Sequence, residues 1–153
     1  MSEPAVILLV EDSEDDVRLT ERAFRKAEVH ARIDVVSDGL EALEYLFATG
    51  RYLSRKTAPL PTLVLLDLKM PRLDGHEVLE RIRADGRTRR LPVIVLTSSL
   101  EDADVARSYD RGVNSYLCKP VSFEKFVEAA RRLGIYWLEL NCPPPPSTDE
   151  ESP

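Results

Sequence analysis

Three stretches of this chain, AVILLV at 5–10, LVLL at 63–66 and VIVL at 93–96, are apolar at every position. Each is short for a helix, and none shows the alternation of a strand with one wet face, so each fits a strand buried on both sides. Such strands need cover above and below, which points to a parallel sheet sandwiched between helices. The intervening segments suit that role. Val17, Leu19, Phe24 and Ala27 are roughly helically spaced behind Ser13, a natural N-cap followed by the acidic Asp15 and Asp16. Leu40, Leu43, Leu46 and Phe47 predict a helix over 39–48, and Val78, Leu79 and Ile82 one from Gly75 to Gly86. A helix over 102–111 ends at Gly112, and a last one, capped by Ser122, carries Phe123, Phe126, Val127, Ala130 and Leu133 on one stripe. Weaker strands at 32–36 and 116–118 complete five strands alternating with five helices. Pro92 is tolerated as a first strand residue.

With 153 residues, one ordinary domain is expected: a globular part over 1–140 and a proline-rich, disordered tail over 141–153. The segment after the last helix reads as too short for a DNA-binding or catalytic output module. Residues 50–61 form a polar, proline-ended connection, either a docking loop or, the reading we lean to, a tolerated insertion. The net charge of −6 argues against a nucleic-acid partner. No apolar run is long enough for a membrane span and no leader pattern opens the chain, so a cytoplasmic setting is expected. Cys118 and Cys142 lack metal-ligand spacing; Cys118 reads as a small buried strand residue and Cys142 as a free thiol. His30 and His76 read as surface residues, and Arg81, Arg83, Arg87, Arg89 and Arg90 as a solvated basic face.

The chemistry-bearing residues stand at strand ends. Glu11 and Asp12 follow the first strand, Asp67 follows the third, Thr97 ends the fourth and Lys119 follows the fifth. In doubly wound sheets ligand sites lie beyond the carboxyl ends of the strands. Were the order 2-1-3-4-5, as in the flavodoxin-like class, strands one and three would be neighbours and the three carboxylates would converge. Crowded carboxylates call for a hard divalent cation, with Mg²⁺ the natural choice. Thr97 offers a hydroxyl and Lys119 a long-armed ammonium to a phosphoryl oxygen. Each feature alone has an ordinary reading as a helix-start charge, a turn former or a loop; their joint placement carries the argument.

The runs ILLVED, LVLLDLKMPRLDG, VLTSS and YLCKP together resemble the CheY-like receiver domains of two-component response regulators, over about residues 5 to 140. The resemblance implies an α/β, doubly wound five-stranded parallel sheet of order 2-1-3-4-5 flanked by five helices. It implies Asp67 as phosphoacceptor from the phosphohistidine of a sensor histidine kinase. It also implies Mg²⁺ held by Glu11 (mostly through water), Asp12, Asp67 and the Lys69 backbone carbonyl, and Thr97 and Tyr116 as the switch pair. The Lys119–Pro120 peptide is expected to be cis. The 50–61 connection and the segment IYWLELNCPPPP resemble regulators encoded with phytochrome-type light-sensing kinases. Lys69 is less usual two residues after the acceptor and bears on the lifetime of the phosphorylated state.

Ile135, Tyr136, Trp137 and Leu138 sweep the circumference of the last helix, so some must face outward unless covered. A homodimer through the fourth helix, fifth strand and fifth helix, with Tyr136 and Trp137 in contact, is the expected cover. Two other function classes compete: a pseudo-receiver that only binds partners, and a haloacid-dehalogenase-type phosphohydrolase. The intact Asp12, Asp67, Thr97 and Lys119 set speaks against the first. Lys69, standing where the second class needs an Asp, speaks against that one.

Overall fold

The computed structural model describes residues 4–145. In chain order the elements are β1 (Ala5–Val10), α1 (Glu14–Lys26), β2 (Ala31–Val36), α2 (Gly39–Phe47), a 3₁₀ segment (Gly50–Arg55), β3 (Leu63–Leu66), α3 (Gly75–Ala84), β4 (Val93–Thr97), α4 (Asp102–Asp110), β5 (Ser115–Cys118), α5 (Phe123–Gly134) and a π-helical extension (Ile135–Leu140). The strands form one parallel sheet in the order β2-β1-β3-β4-β5. The uniform apolarity of the central strands is explained by what lies on each face. Leu8, Val10, Val64, Leu66, Val93 and Val95 point toward α2 and α3, meeting Leu43, Leu46, Val78, Leu79 and Ile82. Ile7, Leu9, Leu63, Leu65, Ile94 and Leu96 point the other way, toward Phe24 of α1 and Phe126, Val127 and Leu133 of α5. Each such fully buried aliphatic contributes about 1.5–3 kcal/mol relative to exposure, so both layers are held mainly by this packing.

Side-chain caps start four of the helices close behind strand ends. Ser13 accepts from the Asp16 amide at 3.3 Å, Asp38 from Glu41 at 2.8 Å, Asp74 from Glu77 at 3.0 Å and Ser122 from Lys125 at 3.1 Å. These short, capped turns fix how the chain leaves the carboxyl edge of the sheet, where the candidate site lies.

The 3₁₀ part of the 50–61 connection packs against α2, which fits a docking loop and an insertion alike, whereas the expectations for Cys118 and Arg83 need correcting. The Tyr52 ring packs edge-on to Tyr45 at 5.3 Å, its hydroxyl donates to Glu41 at 2.6 Å, and the Arg55 guanidinium lies 3.7 Å above Tyr45. Aromatic and cation–π contacts within a polar stretch hold it there. Cys118 is exposed, because β5 is an edge strand ending at that residue. Arg83 is half-buried and not simply solvated: its guanidinium donates to the carbonyls of Gly112, Arg89 and Leu91 and to Asn114 Oδ1 at 2.7–3.0 Å, tying α3 to the loops that precede β4 and β5. Burial lowers the pKa of this guanidinium.

The apolar end of the chain divides as geometry demands. Trp137 and Leu138 pack on the α1/α5 core layer, while Ile135 and Tyr136 are exposed. Cys142 is exposed too. Residues 146–153, most of the tail expected to be disordered, lie outside the described residues. No helix among the described residues is long and apolar enough to cross a membrane.

Candidate functional site

Register brings the site together. Val10 of β1 pairs with Leu66 of β3, so the next residues along each strand, Glu11, Asp12 and Asp67, emerge at the same level. The backbone fastens them there: the Glu11 amide donates to the Val36 carbonyl at 3.0 Å and the Asp67 amide to the Val10 carbonyl at 3.1 Å. Glu11 and Asp67 are buried and Asp12 is exposed, and one carboxylate oxygen of each lies within 4.8 Å of the others. Three hard oxygen donors at this spacing, opening to solvent through one member, fit a small divalent cation.

On the far side, the Lys119 amide donates to the Thr97 carbonyl at 2.7 Å, which sets β5 against β4 and aims the lysine over the hollow. Its Nζ lies 2.5 Å from Glu11, 2.8 Å from Asp16 and 3.7 Å from Asp67. No peptide bond among the described residues is cis, so Lys119–Pro120 is trans, contrary to expectation; the amide pairing with Thr97 already gives the lysine its aim.

Electrostatics here are a compromise. Burial, aided by the Asp67 charge, pushes the Glu11 carboxyl up to about 7 despite the hydrogen bond from Lys119. Burial acts against the Lys119 charge as well, but hydrogen bonds to Asp16 and Glu11 outweigh it and raise the ammonium above its ordinary value.

Thr97 is fully buried at the end of β4, and its hydroxyl oxygen lies 3.4 Å from the Ser99 amide. Tyr116 packs on the α2/α3 core layer and donates its hydroxyl to the Ser99 carbonyl at 2.8 Å. The two expected switch residues therefore meet the same short loop. The Lys69 side chain is exposed and leans toward α4, with Nζ 3.9 Å from Asp104. Tyr136 and Trp137 are not at the hollow; with Leu117, Lys125 and Leu133 they line a separate pocket of about 400 Å³ on the β5/α5 side.

Sequence reasoning missed two partners. Asp16 reads from sequence as a helix-start acid, yet it contacts Lys119. His76 reads as a surface residue but is buried, its Nε2 3.3 Å from Asp104. Asp104 also accepts from the Ser99 hydroxyl at 2.7 Å; that bond first, then His76 and Lys69, hold its carboxyl below the usual range. Asp12, Lys69, Met70, His76, Asp104 and Arg107 are among those lining an open groove of about 410 Å³ leading from the carboxylates.

A family model described as the response regulator receiver domain matches residues 7–131. The chain is 43% identical over 145 residues to the probable methanogenesis regulatory protein FilR2 of Methanothrix harundinacea, covering 95% of this chain and 91% of that one. It resembles the crystal structure of the phosphorylated cyanobacterial phytochrome response regulator RcpA, with a TM-score of 0.84 and 36% identity over 93% of this chain and 99% of that one. The Mn²⁺-bound form of response regulator Rcp1, a Synechocystis protein, matches with a TM-score of 0.82 and 37% identity over 93% of this chain and 100% of that one.

Proposed function

The chain belongs to the response regulator receiver family, and from that premise we propose that it is a phosphorylatable switch whose acceptor is Asp67. An Asp67 carboxylate oxygen attacks the phosphorus of a phosphohistidine on a sensor histidine kinase. The new O–P bond forms as the P–N bond breaks, and the electron pair leaves with the imidazole. Glu11, Asp12, Asp67 and the Lys69 carbonyl would hold Mg²⁺, which supplies neutralising charge to the phosphoryl oxygens. Lys119 contributes the second positive charge from the opposite side. Attack of water on the acyl phosphate returns the carboxylate, so the chain carries weak autophosphatase chemistry and no other enzymatic role.

The observation that carries this reading is the meeting of three carboxylates within 4.8 Å beside the ammonium of Lys119. The added phosphoryl charge draws the Thr97 hydroxyl toward it, Tyr116 moves into the space released, and the face made by α4, β5 and α5 changes shape. Self-association through that face, with Tyr136 and Trp137 in contact, is the output we favour. The likeness to the phytochrome response regulator RcpA supports a phytochrome-type light-sensing kinase as the donor. Incubation with acetyl phosphate and Mg²⁺, followed by intact-mass measurement, tests the acceptor. Wild type is expected to gain one phosphoryl group and Asp67→Asn none; equal adducts on both would overturn the assignment.

A further inference from the structure

We propose that Asp16 is a positioning residue for Lys119, holding its ammonium at the rim of the hollow and outside the space a divalent cation fills. This rests on the reading of Glu11, Asp12 and Asp67 as the cation site. Lys119 has three carboxylate partners. Two of them, Glu11 and Asp67, belong to the cluster able to hold a metal; Asp16 does not. The lysine side chain is only 13% accessible, so it has little water to turn to when its partners are taken up by a cation. Asp16 is the one anion it can keep.

The geometry of α1 suits Asp16 to this role. Its amide donates to the Ser13 hydroxyl and its carbonyl accepts from the Thr20 hydroxyl at 2.7 Å, so the first turn that carries it is braced from both ends. A general helix-dipole role does not explain its direction. Glu14 and Asp15 supply acid to the same turn, and the Asp15 carboxylate faces solvent, paired with Arg18 at 2.7 Å. Asp16 instead points across to β5. Without its charge, the remaining anions of Lys119 are the cation's own ligands, and ammonium and metal compete for the same oxygens.

Calorimetric titration with Mg²⁺ on the full chain tests this in about 0.5 M salt, where the screening length is roughly 4 Å and long-range field effects are small. Asp16→Asn is expected to weaken Mg²⁺ binding about threefold or more, and Asp15→Asn to leave it unchanged. In a Lys119→Met background, where the competitor is gone and the volume kept, Asp16→Asn is expected to shift the affinity less than about twofold. The proposal is overturned by an equal loss in both backgrounds, by no loss or tighter binding in the first, or by the same loss from Asp15→Asn. Wild-type protein that binds no Mg²⁺ would overturn the proposed function itself.

Discussion

Gly75 starts α3 directly against the backbone of Asp67 and Leu68, and replacing it with alanine separates two opposing effects. A Cβ there would stand 2.7 Å from the Leu68 Cα and nearer still to the Asp67 carbonyl oxygen. Ordinary contact needs close to an ångström more, and neither neighbour is a side chain that can rotate away. The helix cannot lift freely, because His76, Val78, Leu79 and Ile82 are buried beneath it and the Gly75 amide is bonded to the Leu68 carbonyl at 2.9 Å. Overpacking of this kind costs about 1–3 kcal/mol, and contact with backbone places it toward the upper end. Against it stands the lower entropy of an unfolded chain with alanine, about 0.4–1 kcal/mol. The clash wins, leaving a net loss of about 1–2 kcal/mol, or roughly 2–8 °C in melting temperature at this size. The strain falls on the peptide bearing Asp67, so phosphorylation by acetyl phosphate is expected to slow by about two orders of magnitude. Thermal unfolding by circular dichroism and the mass assay read the two effects. A melting temperature equal to or above wild type would refute the argument.

Asp38 gives a pH dependence. Burial opposes its charge, but hydrogen bonds from the Glu41 amide and Arg72 prevail and hold the carboxyl below the usual range. Its contribution is therefore complete above the unfolded pKa of about 4 and disappears as pH falls through the lower folded value. Melting temperatures between about pH 5 and 2 are expected to fall less steeply in Asp38→Asn than in wild type; parallel curves would exclude the contribution. At the other end of the molecule, Tyr136→Ala removes an exposed ring and spares Trp137 on the core. Sedimentation is expected to show weaker self-association, and an unchanged dimer fraction would eliminate Tyr136 as a contact.

The legible part of the fold was set by the period of the structure. Strands buried on both faces leave a run without polar residues, so β1, β3 and β4 could be read from the chain alone, and with them the strand ends where Glu11, Asp67 and Thr97 stand. Partners supplied by helices could not. Asp16 stands beyond the end of β1, and whether it faces solvent like Asp15 or the hollow depends on the azimuth of α1, which the Phe24 packing decides. His76 begins α3 at a position that looks exposed until α4 is laid beside it, bringing Asp104 against the ring. The packing of the 50–61 connection is not legible either, because Tyr45 and Tyr52 meet only once α2 and the 3₁₀ segment are placed together. Hydropathy marks the layers; contacts between side chains on different helices depend on how those helices pack.

Those helix-borne contacts give the hollow a symmetry that strand ends alone lack. Two lysines flank it, and each rests on a carboxylate outside the cation cluster: Lys119 on Asp16 from α1, and Lys69, more loosely, on Asp104 from α4. A phosphoryl group on Asp67 would bring about −1.5 to −2 charges into a space already lined by carboxylates, so positive charge must be near and able to move. On the proposed acceptor role of Asp67, the Lys119 ammonium meets that need at low reorganisation cost, since its Nζ already lies 3.7 Å from the Asp67 carboxylate. The Asp104 side is also tied to the switch. Ser99 donates to Asp104 through its hydroxyl and accepts from Tyr116 through its carbonyl, so a shift of Lys69 and a shift of the Thr97–Ser99 loop act on the same carboxylate. On the proposed function, charge balance at Asp67 and movement of the α4 face would be coupled through Asp104, a residue that no strand-end motif contains.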